Sequence, residues 1–223
     1  MARVIIDTEH PAYKARRESF VKGRYNGAFY YSKELRRFVV PKIRTDRNWI
    51  LVNTYGKGAV NHSIVFIHNN LHPENYAWLK KFDDMILVCG IKGTMNKVRH
   101  LGRTIYLPLS VDVKEVLRYS SEKTKECAYA GRRSKVKRKD LPQNCDFLCD
   151  IPRTIMLKQM AKYRKVYAVG RCAIEARILG CEIGVCDERF PDPSIWKIMD
   201  SSEAVKILQT KLDRIDGKND GIK

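Results

Sequence analysis

The residues best suited to chemistry surround one glycine, Gly170, in the segment KVYAVGRCAIEARILGCEIGVC at 165–186. The pattern predicts a buried strand at 166–169, a glycine turn, a helix at about 172–179 and another strand. A helix that begins directly after a buried strand directs its backbone N–H groups and positive dipole end at one place, which suits a nucleotide phosphate. Glu175 lies one turn later, where a carboxylate can accept hydrogen bonds from ribose or sugar hydroxyls. An ordinary βαβ corner would show the same pattern, so both interpretations stay open.

A second candidate segment is strongly basic. Residues 131–139 read GRRSKVKRK, contain no acidic residue and follow a predicted strand at 127–130. Cations placed directly after a strand and a glycine suit a diphosphate. A solvated basic loop and a nucleic-acid contact are the alternatives.

Polar residues also follow two predicted strands in the N-terminal half. RVIID at 3–7 ends in Asp7, with Glu9 and His10 just beyond it, and IVFIH at 64–68 ends in His68. Residues past the carboxyl end of a strand face the ligand crevice in an open α/β sheet, so Asp7, Glu9 and His10 are candidate site residues. A polar turn before Pro11 would explain the same residues near the N-terminus.

The charge of the chain predicts an anionic partner. The 223 residues carry a net charge of +18, and the pI is about 9.7. Such a charge exceeds what one phosphate pocket needs, so nucleic acid is a candidate partner. Residues 12–48 interleave basic and aromatic side chains, which suits phosphate contact with base stacking, although a helix near 29–38 with a solvated basic face is the alternative.

Cysteine usage and hydropathy indicate a cytoplasmic protein. The seven cysteines are an odd number, and several lie in apolar runs where a reduced cysteine acts as a small hydrophobe. Cys145 and Cys149 have no partner pair that completes a zinc set, so we expect no metal site. No run has the length of a membrane span, and the N-terminus MARVIIDTEH lacks a signal-peptide pattern.

The elements that position these residues alternate between strands and helices, which predicts parallel sheets. In the first half, strands are predicted at 49–53, 64–68, 85–89 and 104–107, and helices at 73–82 and 93–100. In the second half, strands are predicted at 127–130 and 146–151, and helices at 152–163 and, with Asp200 and Glu203 as a capping box, near the C-terminus. We predict two domains, at residues 1–108 and 109–223.

Several of these segments, in this order, are similar to those of one family. FIHNNLHPENYAWLKKFDDMILVCG, TIYLPLSVDV, CAYAGRR and AVGRCAIEARILGCEIGV resemble the end of the N-terminal domain, the interdomain crossing, the start of the donor domain and the donor-binding signature of GT-B glycosyltransferases. The terminal helix resembles their closing helix. The resemblance covers about residues 64–215 and implies two small Rossmann-like domains facing across a cleft, in a chain shorter than is usual.

The resemblance also implies roles for individual residues. The donor would be a nucleoside-diphosphate sugar, with a UDP-sugar expected, and neither a metal nor another cofactor would be required. Glu175 would bind the ribose, and the phosphates would meet the residues that begin the helix, Gly170, Arg171, Cys172 and Ala173. Cations of the basic segment would neutralise the leaving diphosphate: Arg132, Arg133, Lys135 and Lys137. His68 matches a histidine that faces the sugar in some members, and a general base would be sought at Asp7, Glu9 or His10.

Two departures from the family pattern matter. Tyr167 occupies the place where retaining members of one large branch carry a second acid, and DTEHPAYK lacks the usual glycine-rich loop. The predicted function is transfer of a sugar to an acceptor, with modified bases in DNA, as in viral DNA, as one candidate acceptor. The alternative is a non-catalytic GT-B-like protein that binds nucleic acid or nucleotide. A dinucleotide-binding protein is disfavoured, because no G-x-G-x-x-G follows a first strand.

Overall fold

The computed structural model describes residues 4–5, 26–51, 60–68, 73–133, 136 and 140–217. The chain divides into two compact units. Unit 1 comprises residues 1–14, 31–110 and 199–223, and unit 2 comprises residues 15–30 and 111–198. Each unit has a parallel sheet with helices, which confirms the predicted α/β class. The two domains predicted from the sequence, 1–108 and 109–223, have other boundaries than these units and remain a prediction.

The sheet of unit 1 has five parallel strands in sequential order. They are β1 (Val4–Ile5), β2 (Asn48–Ile50), β3 (Ser63–Ile67), β4 (Ile86–Cys89) and β5 (Arg103–Tyr106). The order of these described strands never reverses, so it gives unit 1 no switch point of the kind at which open α/β sheets bind ligands.

Helical segments accompany this sheet. Helix α1 (Gly27–Glu34), whose first four residues belong to unit 2, continues into a π-helical turn (Leu35–Val39) and a 3₁₀ turn (Val40–Lys42). A 3₁₀ helix (Pro73–Lys81) precedes β4. Helix α2 (Lys92–Val98) and a 3₁₀ turn (Arg99–Leu101) precede β5, and α6 (Ser201–Ile215) ends the described chain. Asp200 caps α6 by accepting a hydrogen bond from the Ser202 amide, which confirms it as the N-cap, and the capping-box role of Glu203 stays a prediction.

Both faces of the unit 1 sheet are covered. All five residues of β3 are buried, and successive side chains point to opposite faces. Val65 and Ile67 pack in a cluster with Leu79, which lies on the 3₁₀ helix before β4. Phe66 faces the other way and stacks on Trp49, with 6.0 Å between the ring centroids. A continuous apolar run therefore marks a strand buried on both faces.

Unit 2 contains a four-stranded parallel sheet, in the order β7-β6-β8-β9. The strands are β6 (Lys125–Gly131), β7 (Asp146–Cys149), β8 (Tyr163–Tyr167) and β9 (Glu182–Gly184). The helices are α3 (Val113–Leu117), α4 (Arg153–Met160), α5 (Arg171–Ile178) and a 3₁₀ turn (Pro193–Ile195). None of the seven cysteines forms a disulfide, in agreement with their interpretation as small hydrophobes.

Some element boundaries and types were predicted wrongly. The helix predicted at 73–82 is present as a 3₁₀ helix, which ends one residue earlier, at Lys81. The strand predicted at 166–169 is β8, which begins and ends earlier, at Tyr163–Tyr167. Lys165 of β8 pairs with Glu182 on the neighbouring β9, with 2.5 Å between Nζ and Oε1, so a charged residue is satisfied within the sheet. A prediction based on runs of apolar residues misses the first residues of β8, because they are charged or polar.

A charge cluster links the turn before β4 to the end of α6 in unit 1. Arg47, of which 3% of the side chain is exposed, lies 2.9 Å from Asp84 Oδ2 and 2.7 Å from Asp216 Oδ1. His62 Nδ1 lies 2.6 Å from the same Asp84 oxygen, and Arg103 also pairs with Asp84. Burial raises the pKa of Asp84, but hydrogen bonds from His62 and Arg47 outweigh burial and lower that pKa to about 2.

We expect Asp84→Asn to remove an acid-sensitive part of the stability. A carboxyl whose pKa is lower in the folded than in the unfolded state stabilises the protein above its unfolded pKa, and that contribution disappears as the pH falls towards 2. Because the side chain is one-third exposed, the loss near pH 7 should be about 1 to 2 kcal/mol. Urea unfolding at pH 2, 3, 4 and 7 should show a shallower acid decline for the variant. An unchanged acid decline would contradict this assignment.

Candidate nucleotide-binding edge of unit 2

The strand order of unit 2 reverses between β6 and β8. The chain leaves β6 to form β7 on one side, and then returns to form β8 on the other side. Tyr129 of β6 pairs in register with Tyr167 of β8, so the residues that follow the two strands leave the same edge of the sheet as neighbours. Open α/β sheets bind ligands at the carboxyl edge where strand order reverses. We name this place, between residues 131–133 and 168–173, the switch-point edge.

Gly170 begins helix α5 in a conformation that favours glycine. Its φ of 64° and ψ of −135° lie in a region that residues with a Cβ rarely adopt, and as a glycine it provides no side-chain cap. The Ile174 amide donates the first hydrogen bond of the helix to the Gly170 carbonyl, at 3.2 Å. The amides of the three residues before Ile174 therefore lie at the positive end of the helix. Arg171, Cys172 and Ala173, as predicted, form this first turn.

Two predicted cations follow β6 at the same edge. Arg132 and Arg133 are exposed, and the guanidinium carbon of Arg133 lies 5.5 Å from the centroid of the Phe147 ring. The predicted Lys135 and Lys137 lie outside the described residues. Arg132 and Arg133 thus follow a strand that is paired with the strand before α5, as the phosphate hypothesis requires.

Tyr129 supports the turn that carries these arginines, and sequence reasoning missed it. Its hydroxyl donates to the backbone carbonyl of Arg132, at 3.0 Å. A Cβ on Gly131 would lie 2.6 Å from that hydroxyl, so glycine leaves the room that the phenol needs. Burial, followed by the nearby thiols of Cys186 and Cys149, raises the pKa of Tyr129, which keeps it a neutral donor. The sequence signal that could have identified this contact is the tyrosine two residues before the glycine in CAYAG.

Glu175 lies in a buried arginine cluster. Its Oε1 accepts hydrogen bonds from Arg153 Nε and Arg171 Nε, both at 2.9 Å, and the residue is 0% exposed. Arg153 also donates to Glu115 Oε1, at 2.7 Å, and its guanidinium carbon lies 5.2 Å from the centroid of the Tyr30 ring. The ribose-binding role of Glu175 stays a prediction. The arginine pairs give this carboxylate a structural role.

An open pocket lies past the end of β9. It has a volume of about 460 Å³ and is lined by Asp140, Val185, Cys186, Asp187, Glu188 and Arg189. Arg189 donates to both carboxylate oxygens of Asp187, at 2.9 and 2.6 Å. Burial, with Asp187 nearby, raises the pKa of the Cys186 thiol to about 12. Carboxylate oxygens suit the hydroxyl groups of a sugar better than they suit phosphate.

The candidate catalytic residues of the N-terminal half belong to unit 1. Asp7, Glu9 and His10 lie outside the described residues. His68 directly follows β3, is half-buried and has its ring centroid 5.6 Å from that of Tyr31. In unit 2, Tyr167 ends β8, and its ring lies 2.5 Å from where a Cβ on Gly184 would be. The catalytic roles remain predictions.

The described residues contain neither a metal-binding group nor a membrane-spanning helix. No set of three or more His, Cys, Asp or Glu side chains is arranged there to hold a metal ion. No helix in the same part of the chain has the length and apolarity needed to cross a bilayer.

Comparison of the chain with protein-family models, curated proteins and solved structures finds no match to any of them.

Proposed function

We propose that the chain is a metal-independent glycosyltransferase that binds a nucleoside-diphosphate sugar, such as a UDP-sugar, at the switch-point edge. One observation carries the proposal: β6 and β8 are paired neighbours at the reversal of strand order, so the arginine turn and the start of α5 leave one edge together. We further propose that the chain has the GT-B arrangement, in which two lobes face each other.

The chemistry assigned to this edge is stabilisation of a leaving group. In the transfer, the bond between the anomeric carbon and the diphosphate oxygen breaks, and a bond from that carbon to an acceptor oxygen forms. The electron pair of the broken bond goes to the diphosphate. The α5 dipole and first-turn amides, with Arg132 and Arg133, would stabilise that negative charge without a metal. A base that removes the acceptor proton is sought among Asp7, Glu9 and His10, and His68 would face the sugar.

Donor hydroxyls have candidate acceptors at two places in unit 2. Glu175, the predicted ribose ligand, is enclosed and already accepts from two arginines. Glu188 is exposed in the pocket past β9, and Asp187 lies beside it. Both oxygens of Asp187 accept hydrogen bonds from Arg189, so a donor hydroxyl bound by exposed Glu188 would leave the buried cluster intact.

The proposal is tested by ligand-induced stabilisation. A ligand that binds only the folded protein raises its melting temperature. We expect one of UDP-glucose, UDP-galactose and UDP-N-acetylglucosamine to raise the Tm, and Arg132→Gln with Arg133→Gln to weaken donor binding at least tenfold, since two phosphate contacts are lost. Lys158→Gln with Lys162→Gln removes equal charge from exposed positions of unit 2 and should leave donor binding unchanged. No shift with any nucleotide-sugar, and no release of nucleoside diphosphate, would refute the function.

A non-catalytic protein that binds nucleic acid is the second candidate. The net charge of +18 favours it, because phosphate neutralisation supplies most of non-specific nucleic-acid affinity. Duplex binding that weakens steeply with salt, in a protein that binds no nucleotide-sugar, would favour this candidate over the transferase.

A further inference from the structure

Unit 1 contains an open pocket beside the last helix. It has a volume of about 770 Å³ and lies between the segment after the 3₁₀ turn at Val40–Lys42 and the middle of α6. Its lining residues are Lys42, Arg44, Thr45, Val205, Lys206, Gln209, Thr210 and Asp213. We name it the unit 1 basic pocket.

The position of Arg44 in this pocket is fixed by a side chain of α6. Gln209 Oε1 accepts from the Arg44 amide at 2.7 Å, and Gln209 Nε2 donates to the Arg44 carbonyl at 3.1 Å. Gln209 Nε2 also donates to Asp213 Oδ1, at 2.7 Å. Both backbone groups of Arg44 are thus held by one amide, in the way that a strand holds its neighbour. The backbone that carries the Arg44 guanidinium is therefore fixed in position.

The pocket carries an excess of positive charge. Within the described part of the chain, Lys42, Arg44 and Lys206 form no ion pair, and the pocket contains a single carboxylate, Asp213, which already accepts from Gln209. Thr45 Oγ1 accepts from the Arg47 amide at 3.1 Å, so its O–H can still donate to an anion. Three cations and a hydroxyl donor around one opening favour a phosphate group.

We propose that the unit 1 basic pocket binds the phosphodiester backbone of a nucleic acid. The pocket is open rather than enclosed, so a polymer can pass across it, and the high positive charge of the whole chain favours a polyanion over a single small anion. The inference depends on residues of unit 1 alone. It therefore holds or fails independently of donor binding at the switch-point edge.

The test is salt-dependent binding of a fluorescein-labelled DNA duplex of about 20 base pairs. Each phosphate contact contributes about 0.9 to the slope of log K against log salt. The triple variant Lys42→Gln, Arg44→Gln and Lys206→Gln should reduce that slope by about 2 to 3 and weaken binding at least tenfold at about 0.1 M salt. Its Tm, and its response to a nucleotide-sugar, should equal those of the wild type.

A matched control separates a site from diffuse attraction. Lys158→Gln, Lys162→Gln and Lys197→Gln remove the same charge from exposed positions of unit 2. A slope that changes equally in both triple variants, or in neither, would overturn the proposal, as would a wild type that does not bind the duplex. Displacement of the duplex by inorganic pyrophosphate at constant ionic strength would also overturn it, since it would reveal a small-anion site.

Discussion

Glu175→Ala is expected to lower the free energy of unfolding by about 3 to 5 kcal/mol, because it leaves two buried arginines without their shared carboxylate. Only 4% of the Arg153 side chain, 1% of the Arg171 side chain and 1% of the Glu175 side chain are exposed. Solvent cannot replace the lost negative charge at such burial. Equilibrium unfolding in urea at pH 7 measures the effect.

Two further variants distinguish charge compensation from loss of volume. Replacing the whole cluster together, with Arg153→Met, Arg171→Met and Glu175→Leu, removes the buried charges as a set, so it should destabilise far less than Glu175→Ala alone. Glu126→Ala breaks an ion pair with Arg164 whose side chains are 73% and 64% exposed, and it should change stability by less than about 1 kcal/mol. If Glu175→Ala were as mild as Glu126→Ala, the cluster would not support unit 2.

The same cluster changes how a donor-binding assay on Glu175 must be interpreted. Arg171 begins α5 and donates to Glu175 one turn later, so the carboxylate positions the first turn that the phosphates would meet. A Glu175 variant could therefore lose donor binding through a displaced helix rather than through a lost ribose contact. Variants of exposed Glu188, in the pocket past β9, test a hydroxyl contact without disturbing buried arginines.

The local pattern around Gly170 was predictable, whereas the side-chain contacts near it were not. A strand, a glycine and a helix follow one another within a few residues, so short-range periodicity and the glycine identified them. Arg153 is 22 positions from Glu175, and the sequence offers no periodic signal that relates two such residues. The Tyr129 hydrogen bond to Arg132 likewise depends on a turn geometry that the residue types leave open.

The strand order was equally inaccessible from sequence. Alternating strands and helices predicted parallel sheets, which the structure confirms, but the same alternation is compatible with a sequential order, as in unit 1, and with a reversal, as in unit 2. Only the pairing of β8 with β6, rather than with β7, creates the switch-point edge. The resemblance to GT-B enzymes predicted residue roles, and those roles stay predictions.

Gly170→Ala is expected to be the most damaging of the small substitutions at the switch-point edge. A Cβ at φ 64° and ψ −135° forces the backbone out of its conformation or adds strain of about 1 to 3 kcal/mol, since that region is essentially confined to glycine. Gly170 is also buried between β8 and α5, so the turn has little freedom to relax. We expect lower stability together with loss of nucleotide-sugar binding, because the α5 amides would be displaced from the proposed phosphate position.

Two other glycines provide the controls for this substitution. Gly93 lies in α2, and a methyl group added to it would have no neighbouring atom within 4 Å, so Gly93→Ala should be neutral or stabilise the protein by up to about 1 kcal/mol. Gly180 has a φ of 77° but only Lys123 nearby, at 3.9 Å, so Gly180→Ala reports the cost of positive φ at an exposed turn. Stability and donor binding are measured together for all three. If Gly170→Ala cost no more than Gly180→Ala and left donor binding intact, the start of α5 would not form the phosphate site, and the arginine turn alone would have to account for it.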